Sequence, residues 1–541
     1  MLPEWQHLQQ LAQAMQPRHL RDFWHDDGRA EAFSRRAGAL FLDFSKQRID
    51  GEVMSGLMAL AESCQLQQAI DDMMSGALVN NTEERAALHT ALRAAPDARV
   101  MVSGRDIIPD VHNSLTRMES VVNRVHARQW LGYSGKPVTD VVNIGVGGSD
   151  LGPGMVSSAL ADFTAPEANA LRFHYLSLID GTQMDDLLCV LQPETTLFIV
   201  SSKSFTTADT MTNARTAWKW MLDSGADENT VRHQHFIGVS ANPEKMKEWG
   251  ISPENSLYLW DWVGGRFSLW SAIGLPVALQ IGMTCFRELL AGAHFMDRHF
   301  ADTPFSDNLP VLLGMTGVWN ASFLEIHAHA ILPYDARLRD FPDYLAQLEM
   351  ESNGKSVTRS GQPLSYATCP VLWGEVGANA QHAFYQLLHQ GTQAVSSDFI
   401  VPVRRYNEHS INSALVEQHR QSLANCLAQS RVLMLGDTAI SGEAANSAST
   451  DIPGYRRYHG NQPSNTILLD QLNPFTLGAL IALYEHKVFV MSVIWDINPF
   501  DQWGVELGKK IATEMLGALS GAQSLDVDAS TRMLLQQIIK K

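Results

Sequence analysis

The stretch Asp140-Val-Val-Asn-Ile-Gly-Val-Gly-Gly-Ser-Asp-Leu-Gly152 carries the reading of the fold. A short apolar run ends in a glycine-rich turn and opens into a helix, the way a buried strand hands over to its crossover helix in a parallel sheet. From about Thr139 the alternation recurs, with apolar runs at Asp140 to Ile144, Leu171 to Leu176, Thr196 to Val200 and His235 to Val239 between helical stretches. A second set follows the apolar helical region 269–292, with strand candidates near Ile331 to Pro333, Val371 to Trp373, Phe399 to Val403 and Thr466 to Leu469. Two successive α/β units with mainly parallel sheets, each covered by helices, are therefore expected.

Outward from these units the pattern is helical. The first hundred or so residues show helical spacing, as in Leu8, Leu11 and Met15, with almost no strand-like runs, and the segment from about Val505 reads as helices ending in Lys540 and Lys541. The predicted layout is a helical N-terminal extension over 1–115, α/β units over 116–285 and 286–504, and a C-terminal helical arm over 505–541. The longest uncharged stretch, about 20 residues from Phe267 to Phe286, contains Gly274, Pro276, Gln280 and Gly282, so a buried helix pair is expected there rather than a membrane span.

Composition narrows the classes. At 541 residues, 45% hydrophobic and 18% charged, the chain is a globular protein with ample material for a core. A formal charge of −17 repels nucleic acid and anionic membrane, so neither is an expected partner, and an anionic ligand would need a local cluster of donors. The five cysteines are odd in number and form no CxxC pair, which argues against a disulfide framework or structural zinc. No basic segment followed by an apolar one opens the chain, and a cytoplasmic location is expected.

Two segments suit an anion. In Gly145-Val-Gly-Gly-Ser-Asp-Leu-Gly152 bare backbone amides follow a strand, but a dinucleotide fingerprint would need glycine at position 150, where Asp150 stands. The next strand ends in Ser201-Ser-Lys-Ser-Phe-Thr-Thr207, five hydroxyls and one ammonium at the strand's carboxyl end, where open α/β sheets bind ligands. Taken alone, the first is structural punctuation and the second a polar loop with an N-cap hydroxyl. Together they read as a phosphate site.

Four further segments carry chemistry. In Asp261-Trp-Val-Gly-Gly-Arg-Phe-Ser268 two glycines permit close approach beside Arg266, whose guanidinium suits developing negative charge as well as an ordinary surface turn. Gln347-Leu-Glu-Met-Glu-Ser-Asn-Gly-Lys-Ser356 holds Glu349 and Glu351, two apart and so unable to face one ligand from a helix. Its Gly-Lys-Ser end mimics a P-loop, but Glu349 replaces the required upstream glycine. Gly374-Glu-Val-Gly-Ala-Asn-Ala-Gln-His-Ala-Phe-Tyr-Gln386 follows a strand and puts His382 in the first turns of a helix. Phe500-Asp-Gln-Trp-Gly-Val-Glu-Leu-Gly-Lys509 spaces Gln502, Glu506 and Lys509 along one helix face, where a Glu506–Lys509 ion pair is the plain explanation. His327 and His329, two apart, point to opposite sides of a helix, and no metal site is proposed from them.

These segments together resemble the phosphoglucose isomerase family, and the resemblance spans Gly145 to Lys509. It implies two three-layer α/β/α sugar isomerase domains and aldose-ketose isomerisation of glucose 6-phosphate and fructose 6-phosphate through a cis-enediol, with no metal or organic cofactor. By motif it implies substrate contacts from Gly148, Ser149, Ser202, Lys203, Ser204, Thr207, Gln347 and Gln502. Many relatives carry Thr where Ser204 stands, and the hydroxyl survives. It further implies Glu351 as catalytic base, His382 and Lys509 in ring opening, Arg266 as electrostatic stabiliser, and a homodimer in which His382 enters the neighbouring subunit's site. His389, further along the helix, and Glu506 receive no role. A non-catalytic sugar-phosphate sensor, a secreted signalling role and side activity on mannose 6-phosphate stay open as alternatives, and Pro453 to Asn461 reads as an exposed loop of unassigned role.

Overall fold

The central apolar runs form strands because their valines, isoleucines and phenylalanines are buried on both faces, the mark of a sheet covered by helices on both sides, while the edge strands are partly exposed. In chain order these are β1 (Asp140–Ile144), β2 (Arg172–Leu176), β3 (Thr196–Ser201), β4 (Phe236–Ser240), β5 (Ser256–Tyr258), β6 (Ala328–Pro333), β7 (Val371–Gly374), β8 (Ser396–Arg404) and β9 (Ser464–Gln471). The computed structural model describes residues 2–23, 26–405, 412–440, 452–520 and 526–539. Two compact units result, Met1–Pro499 and Phe500–Lys541.

The five-stranded sheet runs β2-β1-β3-β4-β5, parallel throughout. The second sheet runs β7-β6-β8-β9 in parallel. Each therefore starts in the middle, steps one way and then the other, so that the order of strand addition reverses between β1 and β3 and between β6 and β8. Ligands bind at such switch points in doubly wound sheets, beyond the carboxyl ends of the strands. The architecture is the α/β, mainly parallel one expected. Val142, Ile144, Phe198, Val200 and Phe236 anchor one core cluster and Ala330, Leu332, Phe399 and Val401 another.

The N-terminal stretch departs from the expectation of almost no strands. Ser34–Ala37 and Leu40–Asp43 form a hairpin that adds antiparallel to β9. Gly38, at φ +53°, makes its turn, and the alternate residues Leu40 and Leu42 are fully buried. Four residues are too few for periodicity to register, and the backbone of Leu40–Asp43 is satisfied on one side by Ser34–Ala37 and on the other by β9. The three-residue β5 escaped notice for the same reason. His329 lies on a strand, β6, and not on a helix; its Nδ1 is 2.8 Å from Ser396 Oγ.

Phe267 to Ile281 is buried, as short 3₁₀ turns leading into the helix Leu275–Asp302, which breaks at Gly282 (φ +77°). Among the described residues two helices, Ala272–Asp302 and Pro474–Ile494, are long and apolar enough to cross a membrane, yet most of the first and all of the second lie buried in protein. They are core helices packed on each other. The unit Phe500–Lys541 consists of a 3₁₀ turn, Trp503–Val505, and helices Glu506–Leu519 and Ala529–Ile539. Lys540 and Lys541 lie outside the described residues.

Candidate active site

Parallel pairing of β1 with β3, Ile144 opposite Val200, sets the glycine-rich turn and the hydroxyl loop side by side at the switch point of the first sheet. Asn143, buried in β1, ties them: Ser201 Oγ donates to its Oδ1 at 3.0 Å, and its Nδ2 donates to the Ser149 carbonyl at 2.9 Å. A polar residue inside an apolar strand was the signal for it, and the sequence reading passed over it.

The hydroxyl loop is folded on itself. Ser202 Oγ lies 3.0 Å from Thr207 Oγ1 and accepts the Phe205 N–H at 3.1 Å, while Ser204 Oγ accepts from Thr206 N and Oγ1 at 3.2 and 2.9 Å. Phe205 takes φ +54°, unusual for a bulky residue, and its buried ring holds that backbone in place. Thr207 is the N-cap of the helix Ala208–Asp223, and among the described residues no side chain caps that helix. Its first-turn N–H groups and positive dipole end are thus turned on the loop.

Lys203 departs from a simple phosphate ligand. Two of its three donors go to the carbonyls of Asp261 and Val263, both at 2.8 Å, so the ammonium lashes the hydroxyl loop to the segment that carries Arg266. Burial, with Arg85 adding to it, lowers its pKa from the ordinary lysine value.

The third wall is the 3₁₀ segment Gly265–Trp270. Gly148 packs against it so closely that a Cβ there would lie 2.0 Å from the Gly265 carbonyl oxygen and 2.7 Å from the Arg266 nitrogen. Gly147, at φ +59°, turns the chain beside the Gln347 amide. Gln347 and Glu351 begin and end a π-helical turn, Gln347–Glu351, a distortion found often at functional sites. Gln347 Nε2 donates to Glu351 Oε2 at 2.8 Å. Arg266, 3% exposed, donates from Nε to Ser352 Oγ at 2.6 Å and from Nη2 to the Pro499 carbonyl, and holds Nη1 3.5 Å from Glu351 Oε1. The π turn directs Glu349 into the core and Glu351 toward Arg266 and Gln347, which separates the two carboxylates as their spacing required. Ser352, which steadies Arg266, stood in the quoted segment but drew no role from it.

Beside Ser149, Asp150 opens a separate cleft of about 600 Å³ lined also by Ser157, Tyr175, Gln280, Asp340 and Asp343. Burial pushes its carboxyl up to about 6, against the opposing pull of a hydrogen bond from Ser177.

Thus Gly148, Ser149, Ser202, Lys203, Ser204, Thr207, Arg266, Gln347 and Glu351 line one continuous region. His382 does not join it by contact. It is exposed on the helix Gly377–Ala383 beyond β7, and among the described residues no hydrogen bond or ion pair links its ring to Glu351. His389 Nε2 lies 2.9 Å from Gln429 Oε1, packed between Tyr385 and Tyr458. In the Phe500–Lys541 unit, Lys509 Nζ pairs with Glu506 at 3.0 Å, the helix ion pair weighed from the sequence. Among the described residues no group of three or more His, Cys, Asp or Glu is arranged to hold a metal ion.

The phosphoglucose isomerase family profile matches residues 43–535. Glucose-6-phosphate isomerase 2 of Chromohalobacter salexigens is 56% identical across 98% of this chain and 96% of its own length. Glucose-6-phosphate isomerase of Psychrobacter arcticus is 56% identical across 99% and 96%. Among solved structures, a glucose-6-phosphate isomerase from Chlamydia trachomatis superimposes with a TM-score of 0.86 at 30% identity, covering 99% of this chain and 98% of that one.

Proposed function

The chain belongs to the phosphoglucose isomerase family, and on that premise we propose that it interconverts glucose 6-phosphate and fructose 6-phosphate, a step of glycolysis and gluconeogenesis. The observation that carries the reading is the 3.5 Å approach of Arg266 to Glu351, with the glycine turn packed against the Arg266 segment and the Gln347 amide.

The sugar's phosphate is assigned to the Ser202, Ser204 and Thr207 hydroxyls, the Gly148 and Ser149 amides and the adjoining helix N-terminus, with Lys203 supplying charge from the rear of the loop. An anchored phosphate leaves C1 and C2 toward the π turn. There Glu351 takes the C2 proton and returns it to C1 through a cis-enediol, the Gln347 amide orienting its carboxylate. Arg266 cannot give up its proton at working pH, so its part is electrostatic: it offsets negative charge developing on O1 and O2. Because it is already bound to Ser352 and Pro499, it does so with little reorganisation.

Opening of the cyclic sugar is assigned to His382 and Lys509, with Gln502 at the substrate. His382 is assigned across a homodimer interface, and its exposure on this chain supports that assignment. The enzyme is placed as a soluble, cytoplasmic protein. Purified protein given fructose 6-phosphate, with chelator present and glucose 6-phosphate read through a coupled dehydrogenase, tests the reaction. Rapid formation supports it, and sugar-phosphate binding without product would favour the sensor alternative.

A further inference from the structure

Glu349 has no place in the reaction described, yet it is 1% exposed and its Oε2 lies 2.8 Å from Lys487 Nζ, itself 2% exposed. Lys487 sits in the core helix Pro474–Ile494, which passes behind the π turn Gln347–Glu351. Two charges withdrawn from water in this way are poor evidence of stability, because well-packed apolar residues of similar volume hold a fold as well or better. What an ion pair adds is direction. Among the described residues Glu349 Oε1 has no hydrogen-bond partner, so the bond from Lys487 orients the carboxylate. Residues two apart on a helical turn point to nearly opposite sides. Drawing Glu349 onto the core helix therefore turns Glu351 outward to Arg266 and Gln347. A second tie runs parallel to the first: Asn353 Nδ2 donates to the Val488 carbonyl at 3.1 Å, just beyond the turn.

We propose that the buried Lys487–Glu349 pair is a positioning device for catalysis, setting the register of the π turn so that Glu351 meets the substrate carbon. This rests on the assignment of Glu351 as the base. Lys487 stays charged in its site: burial opposes the charge, but Glu349 and then Asp398 outweigh it and raise the ammonium's pKa. A π turn accommodates one residue more than an α turn and can relax toward regular helix, which would rotate Glu351 away. The pair blocks that relaxation.

The test replaces both charges with side chains of similar length, Glu349→Met with Lys487→Met, so that no buried charge is left alone. Circular dichroism and melting report the fold, calorimetry reports glucose 6-phosphate binding, and the coupled assay gives kcat and KM. A folded double variant with KM retained and kcat down by about 10²-fold, the usual result of a 1 Å misplacement, is the expected outcome. Parental kcat, or loss of binding in step with kcat, overturns the proposal. Should the double variant not fold, Glu349→Gln decides by the same split, and failure of both to fold would mark the pair as a stability element and overturn it too. Glu351→Gln, assayed alongside, separates the two readings. Turnover surviving that change removes the base assignment itself, whereas its loss with a fully active double variant removes only the positioning role.

Discussion

Gly148→Ala tests whether the glycine turn and the Arg266 segment work as one wall. A methyl group there would lie 2.0 Å from the Gly265 carbonyl oxygen and 2.7 Å from the Arg266 nitrogen, both backbone atoms that cannot swing aside. Ordinary contact begins near 3.4 Å, so the two segments must part by roughly 1.4 Å. Overpacking of this kind destabilises by about 1–3 kcal/mol, which a domain of this size survives. The catalytic effect is larger, because the displaced backbone carries Arg266 on one side and the Gly148 and Ser149 amides on the other. A shift of more than 1 Å at reacting groups is worth about 10²-fold in rate, and kcat/KM for glucose 6-phosphate should fall by that order. Gly154→Ala is the control. Its Cβ would meet the Tyr175 ring at 3.8 Å, an ordinary contact inside the helix Leu151–Ala159, and the change should stabilise by about 0.5–1 kcal/mol without altering kinetics. Steady-state kinetics and thermal melting of the two variants decide the matter. Parental kcat/KM in a folded Gly148→Ala protein would refute the reasoning.

Further outcomes follow from the same geometry. Glu351→Gln should lose about 10²- to 10⁴-fold in kcat while binding sugar phosphate normally by calorimetry; binding lost in parallel would sink the base assignment. Arg266→Lys, which cannot reach Ser352, Pro499 and the Glu351 side together, should lose about 10²- to 10³-fold in kcat, and a near-normal rate would show that the fork geometry is dispensable. Asp150, raised to about 6 in the folded chain, holds its proton where the unfolded chain has lost it, so its burial destabilises progressively from about pH 4 to 6 and fully above that. Asp150→Asn should accordingly melt higher than the parent at pH 7.5 with the gap closing toward pH 4, and a pH-independent gap would contradict the shift. Inactive Glu351→Gln and His382→Ala proteins, unfolded and refolded together, should recover about a quarter of parental activity if each site draws on two subunits, since half the dimers would be mixed and hold one intact site. No recovery would confine the site to one chain.

The strands were legible because a strand buried on both faces is a local signal, a run of apolar residues whose ends the chain itself marks. β1, β6, β7 and β9 fell where the apolar runs lie, give or take a few residues. The glycine turn and the hydroxyl loop were legible as a candidate anion site because amides and hydroxyls gather at neighbouring strand ends, whereas the roles of Arg266 and Glu351 came only from the family resemblance. What was not legible depends on partners far along the chain. The hairpin at 34–43 is a strand pair only because β9 accepts it, and Lys203 is bound at its tip only because the Asp261 and Val263 carbonyls are brought to it.

The amino-acid sequence by itself determined the α/β class, the succession of elements and the chemical groups on offer, since these follow from the period of burial and the identity of side chains. Tertiary structure alone decided which groups meet. The order of strands puts two loops at one switch point, and the contact of Gly148 with Gly265 joins them to Arg266. Glu349 and Glu351, alike in sequence and two residues apart, part company because one finds a buried ammonium and the other the Arg266 guanidinium and the Gln347 amide. Charge on a carboxylate is local chemistry, but the dielectric and the partners around it are set by the fold.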